Sequence, residues 1–325
     1  MGREDPHARY FRPGRLTPVA AVDTLRRFVF ERYPFRGQLV HLGPAWKAMM
    51  EHHDYPAHVR DTLGEAVAAA ALLSSTLKFS GLLSLQLRGT GPMHLMLVEC
   101  SDGLAMRAVA RFRDPPDTRD LRELSGDGTL TVTIESGNAA HPYQGIVPLS
   151  GASMSDCLGE YFEASEQLPT RLWLHADAEG ASGLLLQRLP LQAKPSALLE
   201  SGAGAIVAEE VEDAWRRVQL VAGTVTSAEL GELEDRELLR RLFAEDDVRV
   251  FEPTPVYFRC RCSRERVANM LRALGREEVE SVVADFGQVE VRCEFCSRAY
   301  RFDAVDCAGL YASPGHAGSG PPGVH

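Results

Sequence analysis

The sequence predicts an α+β chain in three parts: an N-terminal α/β domain with an antiparallel sheet, a helical linker, and a small C-terminal metal-binding domain. Three observations predict it. Between Leu82 and Leu189, short apolar alternations are separated by glycine turns, as in an antiparallel meander with a few helices. Residues 193–258 lose that alternation and become rich in Ala, Glu and Arg. Near the end, four cysteines gather as Cys260-x-Cys262 and Cys293-x-x-Cys296, with 30 residues between the pairs.

The elements follow in order. Residues 1–15 are polar and read as a flexible N-terminus. From Val22 the spacing of Leu25, Phe28 and Val29 predicts a helix, followed by a strand at Gln38-Leu39-Val40. Ala45–Met50 reads as a short helix. His58–Phe79 reads as a long core helix, with Val59, Leu63, Val67, Ala70 and Leu73 at helical spacing. Strands are expected at Leu82–Arg88, His94–Glu99, Leu104–Phe112, Thr129–Ile134 and Pro142–Leu149. A helix is expected at Ser153–Glu166, then strands at Thr170–His175 and Gly183–Leu189. These complete an N-terminal domain over 16–192.

The linker is expected over 193–258. Val207, Val211, Trp215 and Val218 mark one amphipathic helix. Thr226-Ser-Ala-Glu229 is a capping-box pattern, and Leu238, Leu239, Leu242 and Phe243 stripe the next helix. The segment holds 7 Lys/Arg against 14 Asp/Glu, much of the chain's net charge of −10. Isolated helices of this length are marginal, so these helices depend on tertiary packing for stability. The linker's charge suits a segment that unfolds without aggregating, or simply a solvated surface.

Composition excludes several classes. Hydrophobic content of 45% and charged content of 25% are those of an ordinary globular chain. The longest apolar run, Ala66–Leu73, is far short of the roughly 20 residues of a membrane span. The start lacks the apolar stretch of a secretory signal, so a cytoplasmic location is expected. The acidic balance argues against nucleic acid as a partner, which needs a basic face. His52, His53, His94, His141 and His175 are unclustered. No Ser–His–Asp pattern is present, and Gly89-x-Gly91 and Gly126-x-Gly128 lack the G-K-[ST] of a phosphate loop. The chain therefore reads as a non-enzyme.

Seven cysteines do not make a disulfide scaffold. Cys100, Cys157 and Cys307 are scattered and read as small buried apolar residues. Cys260, Cys262, Cys293 and Cys296 have the spacing of a tetrahedral Zn²⁺ site, in a module over 259–311 ahead of a Gly/Pro-rich, disordered tail over 312–325. A helix is expected after Cys262, with Gly275 as its cap. Two strands joined by the C-x-x-C knuckle should follow, with Phe295, Tyr300 and Phe302 as a small core. Nine arginines and seven acidic residues over 259–301 offset the formal charge of a zinc tetrathiolate. The same sulfurs lie within local reach of Cys260–Cys262 and Cys293–Cys296 disulfides. Spacing alone leaves open a permanent zinc knuckle, a redox switch that ejects the metal, and a nucleic-acid-binding zinc ribbon.

Longer motifs narrow this. Arg259-Cys-Arg-Cys-Ser-Arg-Glu-Arg266 and Cys293-Glu-Phe-Cys296 are joined by Phe35-Arg-Gly-Gln-Leu-Val40, His53-Asp-Tyr-Pro56, Thr76-Leu-Lys-Phe79, Gly89-Thr-Gly-Pro-Met93, Tyr143-Gln-Gly-Ile-Val147 and Ser165-Glu-Gln-Leu-Pro-Thr-Arg171. With these, the chain resembles the redox-regulated heat-shock chaperones, the cytosolic 33 kDa heat-shock proteins of bacteria, over about residues 20–310. The resemblance implies an ATP-independent holdase that is inactive while reduced and zinc-bound. Oxidation would form the Cys260–Cys262 and Cys293–Cys296 disulfides, release zinc and destabilise the linker. The oxidised form would be a homodimer that holds unfolding client proteins and hands them to ATP-dependent foldases. Val211, Trp215, Leu238, Leu242 and Phe243 are then expected to contribute to client binding. Cys307 and both terminal extensions depart from the family pattern.

Overall fold

The structure, a computed structural model, describes residues 9–10, 23–77, 79–137, 142–190 and 203–311. The chain divides into two units, Met1–Arg259 and Cys260–His325. The first contains β1 (Arg9–Tyr10), β2 (Thr24–Phe30), β3 (Phe35–Leu42), α1 (Pro44–Met50), α2 (Ala57–Thr76), β4 (Gly81–Arg88), β5 (Met93–Ser101) and β6 (Ala105–Phe112). It continues with α3 (Leu121–Ser125), β7 (Thr129–Ser136), β8 (Tyr143–Val147), α4 (Met154–Ser165), β9 (Thr170–Ala176) and β10 (Ala181–Arg188). After these come α5 (Ala203–Ala222), α6 (Ser227–Glu232), α7 (Asp235–Leu242), β11 (Val248–Val250), β12 (Thr254–Pro255) and β13 (Tyr257–Phe258). The second unit contains α8 (Arg264–Leu274), α9 (Arg276–Phe286), β14 (Gln288–Arg292), β15 (Ala299–Asp303) and α10 (Ala304–Leu310).

Two largely antiparallel sheets build the first unit. One runs β1-β11-β2-β3-β10-β9, with β12 also on β2; the other runs β13-β6-β5-β4-β7-β8. Helix α2 packs against strands of both sheets. This explains its sequence: Ala66 and Ala68–Ala71 are fully buried. Small side chains let two sheets close on one helix, while Leu63, Val67, Leu72 and Leu73 fill the gaps between them. Each of those larger side chains contributes about 1.5–3 kcal/mol by burial. A helix buried on every side shows little amphipathic contrast.

Residues 24–30 form a strand, not the helix predicted from Leu25, Phe28 and Val29. The cause is that this sheet is covered on both faces. Leu25 points into the core around α2, while Phe28 and Phe30 point into a second core beneath the linker helices. Apolar residues thus fall at both parities and imitate helical spacing.

The linker segment folds as part of the first unit. Helices occupy 203–242, as its periodicity predicts, and the Thr226/Glu229 capping box is present. Residues 248–258 differ. They contribute β11 and β12 to β2, and β13 parallel to β6. A three-residue strand such as Val248-Arg-Val250 is too short for sequence alternation to reveal.

In the second unit α8 starts at the Ser263 cap and ends at Gly275, whose φ of 108° suits glycine. Strands β14 and β15 pair in register from Gln288↔Asp303 to Arg292↔Ala299. Helices α9 and α10 were not expected. Tyr300 and Phe302 are buried in the module core as predicted, whereas Phe295 is only half-buried. Of the expected flexible N-terminus, only Arg9–Tyr10 is described, paired with Arg249–Val250 in β11 and β1. The rest of 1–15 and the tail over 312–325 lie outside the described residues, as does His141.

Candidate metal centre and the linker-covered face

The β14–β15 turn positions half of the metal centre. Cys293 N–H donates to Arg298 O at 3.0 Å, and Ser297 N–H donates to Cys293 O at 2.7 Å. Ser297 takes the left-handed conformation, φ 53°, which folds the C-x-x-C back on itself. The other half precedes α8. Ser263 Oγ accepts from Arg266 N–H at 3.2 Å, fixing the helix start just after Cys262.

The four predicted cysteines come together. Cys260 Sγ lies 3.5 Å from Cys293 Sγ, and Cys262 Sγ lies 3.5 Å from Cys296 Sγ. All four sulfurs are within 4.8 Å of one another. A tetrahedral zinc tetrathiolate, with Zn–S bonds of about 2.3 Å, needs S···S edges of about 3.8 Å. An all-sulfur donor set is also the soft environment that suits zinc. The residues therefore fit the ion. Every sulfur is near every other, so the distances do not favour local over crossed disulfide pairs.

Their surroundings differ in ways the sequence did not disclose. Burial pushes the Cys262 thiol up, but donation from the Tyr300 hydroxyl at 3.0 Å and from neighbouring thiols outweighs it, bringing Cys262 down to about 7. Burial pushes Cys296 up to about 12, helped by hydrogen bonds to the other three cysteines. Arg298 is hydrogen-bonded to Tyr300, and its charge acts on Cys262 and Cys296. Arg264, one of the module's nine arginines over 259–301, pairs with Asp306 at 2.7 Å and lies over the Phe302 ring. Tyr300 and Arg298 are thus the residues sequence reasoning missed. Tyr300 was read only as core, and a thiolate donor two strands away has no sequence signature. Cys100, Cys157 and Cys307 are buried free thiols, as expected.

This cage and the two-sheet body stand in one chain, and comparison with known proteins now carries weight. A family model described as Hsp33 protein matches residues 23–303. The chain belongs to the Hsp33 family. Among its relatives, the 33 kDa chaperonin of Nitrosococcus oceani is 45% identical over 289 residues, covering 89% of this chain and 94% of that protein. The 33 kDa chaperonin of Azotobacter vinelandii is 44% identical, covering 92% of this chain and 97% of that one. The crystal structure of the Thermotoga maritima 33 kDa chaperonin superposes with a TM-score of 0.72 at 21% identity, covering 89% of this chain and 97% of that one. At that identity the match shows the Hsp33 fold. It bears out the α+β architecture read from the sequence.

The five residues anticipated for client binding lie together in this Hsp33 chain, but covered. Val211, Trp215, Leu238, Leu242 and Phe243 all pack in the second core. Trp215 meets Phe35 at 5.1 Å between ring centroids, and Phe243 meets Phe30 at 5.1 Å. The floor under them is Phe28, Phe30, Phe35, Leu39, Leu184 and Leu186. Among the described residues, no helix is long and apolar enough to cross a membrane.

Proposed function

We infer that this protein is a redox-regulated, ATP-independent holdase. The observation that carries the reading is the four-sulfur cage in a module with a small core of its own, in a chain of the Hsp33 family. When bound, Zn²⁺ supplies folding energy, about 10–16 kcal/mol in small zinc domains.

In the reduced state Cys260, Cys262, Cys293 and Cys296 act as thiolate ligands and the chaperone is inactive. Oxidation consumes one peroxide per pair. A thiolate attacks the peroxide to give a sulfenic acid and water or hydroxide. The neighbouring thiol then displaces a second water to close the disulfide. Each pair loses two electrons, and each peroxide becomes two waters. With Cys260–Cys262 and Cys293–Cys296 closed, the sulfurs no longer serve as thiolate ligands. The module core, centred on Leu271, Val279 and Phe302, is left to stand without the ion. Losing a ligand that binds only the folded module shifts the equilibrium toward the open form.

Release of the linker helices over 203–242 then frees Trp215, Leu238, Leu242 and Phe243, and the Phe28–Phe35 floor, for unfolding clients. The reading includes a cytoplasmic location, a homodimer as the oxidised form, and hand-over of clients to ATP-dependent foldases. It includes no catalytic turnover.

The test pairs zinc content with free-thiol count before and after peroxide, alongside suppression of aggregation of a thermally unfolding enzyme. The expected result is loss of one zinc and four thiols together with gained suppression. Suppression that does not depend on oxidation would overturn the switch.

A further inference from the structure

The sheet face beneath the linker is apolar in the middle and cationic at both ends. Strand alternation puts Arg26, Phe28 and Phe30 of β2 on one face with Phe35, Leu39 and His41 of β3 and Leu184, Leu186 and Arg188 of β10. At one end, Arg26 Nε and His41 Nδ1 lie 2.5 and 2.8 Å from the two oxygens of Asp235 on α7. At the other, by the β2–β3 turn, Arg32 pairs with Glu210 at 2.5 Å and Arg188 pairs with Glu212, both on α5. Arg26, Arg32, Arg188 and the His41 ring are thus each met by a linker carboxylate. At the β9 margin of the same face, Arg171 and His175 pair instead with body acids, Glu163 of α4 and Asp177.

The linker is therefore more than a hydrophobic cover. It is an amphipathic segment whose carboxylates match a fixed set of cations around an apolar floor. When it leaves, the Arg26, Arg32 and Arg188 cations and the His41 ring stay on the body, and the carboxylates that met them depart. We propose that the uncovered face is a receptor for amphipathic client segments bearing acidic residues beside their apolar anchors. Such segments reproduce the linker's own chemistry. Lysine-rich segments of equal hydrophobicity are disfavoured there. This rests on the holdase reading and adds the chemical class of its clients.

The long-range field points the opposite way, which makes the test sharp. With a net charge of −10, the chain as a whole attracts cations. A preference for acidic segments therefore has to come from the local rim.

The experiment uses the full-length oxidised chain and three fluorescent peptides with one apolar pattern, carrying Glu, Gln or Lys at the polar positions. Binding is read by anisotropy at low salt and at roughly 0.5 M salt, where surface charges are screened. The Glu peptide is expected to bind about tenfold more tightly than the Lys peptide, since a few charge-assisted contacts of modest strength reach that ratio. The gap should close at high salt and in the Arg32→Gln/Arg188→Gln double variant. The wild-type comparison decides the matter even if that variant does not fold. Equal binding of the Glu and Lys peptides, or tighter binding of Lys, by a chain that still suppresses aggregation overturns charge selection and leaves the holdase reading standing. A chain that binds no peptide and suppresses no aggregation overturns both.

Discussion

Asp235 on α7 faces His41 on β3 with 2.8 Å between carboxylate oxygen and Nδ1, and the acid is almost wholly buried, 1% exposed. Arg26 approaches its other oxygen, and His41 Nε2 lies 2.8 Å from Leu230 O on α6. Two linker helices are thus tied to the sheet through one buried polar clasp. Removing one partner of a buried pair leaves the others uncompensated, at a cost of about 3–5 kcal/mol. Asp235→Asn should loosen the linker while zinc stays bound. The expected outcome is faster amide exchange over 203–242 and hydrophobic-dye binding in the reduced protein. Unchanged exchange there would show that the clasp does not hold the linker.

The same clasp sets an acid limit. Burial pushes the Asp235 carboxyl up, but His41 and Arg26 outweigh it and hold it below the ordinary carboxylate range. A carboxylate whose folded value is depressed adds stability that is fully present above its unfolded value, about 3.9, and is lost as pH falls through the folded one. Linker protection in the reduced protein should therefore persist from neutral pH to about pH 4 as far as Asp235 is concerned, and fail below it. Amide exchange across that range, in wild type against Asp235→Asn, isolates the contribution.

Tyr300 offers a separate handle on the metal centre. Its hydroxyl donates to Cys262 Sγ at 3.0 Å while its ring stays in the module core. Tyr300→Phe keeps the ring and deletes the donor. Loss of such an outer partner typically lowers metal affinity by about 10–100-fold. Competition with a chromophoric chelator should show a fall toward the lower end, since only one of four sulfurs is affected. A change of less than about twofold would mean the hydroxyl does not tune the site.

How far the sequence discloses these features depends on how local their causes are. The cage was legible because metal ligands come in pairs two or three residues apart, so chemistry shows in spacing. Helix α2 was legible because its apolar residues span many turns. Strand β2 was misread because two cores, on opposite faces, take Leu25 and Phe28. The clasp was invisible because 194 residues separate His41 from Asp235. In the sequence Asp235 is one acid among many, and a solvated reading of it was reasonable. The structure buries it. Helix α9 was missed because the break at Gly275 hides that Val279, Val282 and Val283 resume the apolar pattern toward the same small core.

Glu65 predicts an opposite pH effect in the body of the fold. Burial, with Arg119 pulling down and Asp61 pushing up, raises its carboxyl from 4.5 to about 7. The folded state then holds a proton that the unfolded chain has released, so stability falls as pH rises between those values. The loss is on the order of 3 kcal/mol by pH 8. Glu65→Gln should raise the melting temperature by several degrees at about pH 8 and leave it nearly unchanged at about pH 5, at roughly 2–4 °C per kcal/mol for a unit of this size. Equal shifts at both pH values would refute the charge explanation.

Cys307 reports whether the second unit depends on its ion. It is 3% exposed in the module core, its thiol pushed up by burial and the nearby Asp306 and Asp303. Reactivity follows the thiolate and its access, so a folded module keeps Cys307 silent toward a maleimide. The core around it is small, and without metal the entropy of ordering the segment has little to oppose it. Chelation under reducing conditions should therefore expose Cys307 along with the four ligands. Cys100, which burial pushes up to about 12, and Cys157 lie in the first unit and should stay protected. Five of the seven thiols should react and two resist. Peptide mapping identifies which. If only the four ligands react, the module keeps its core without zinc, and loss of the ion is not what opens it.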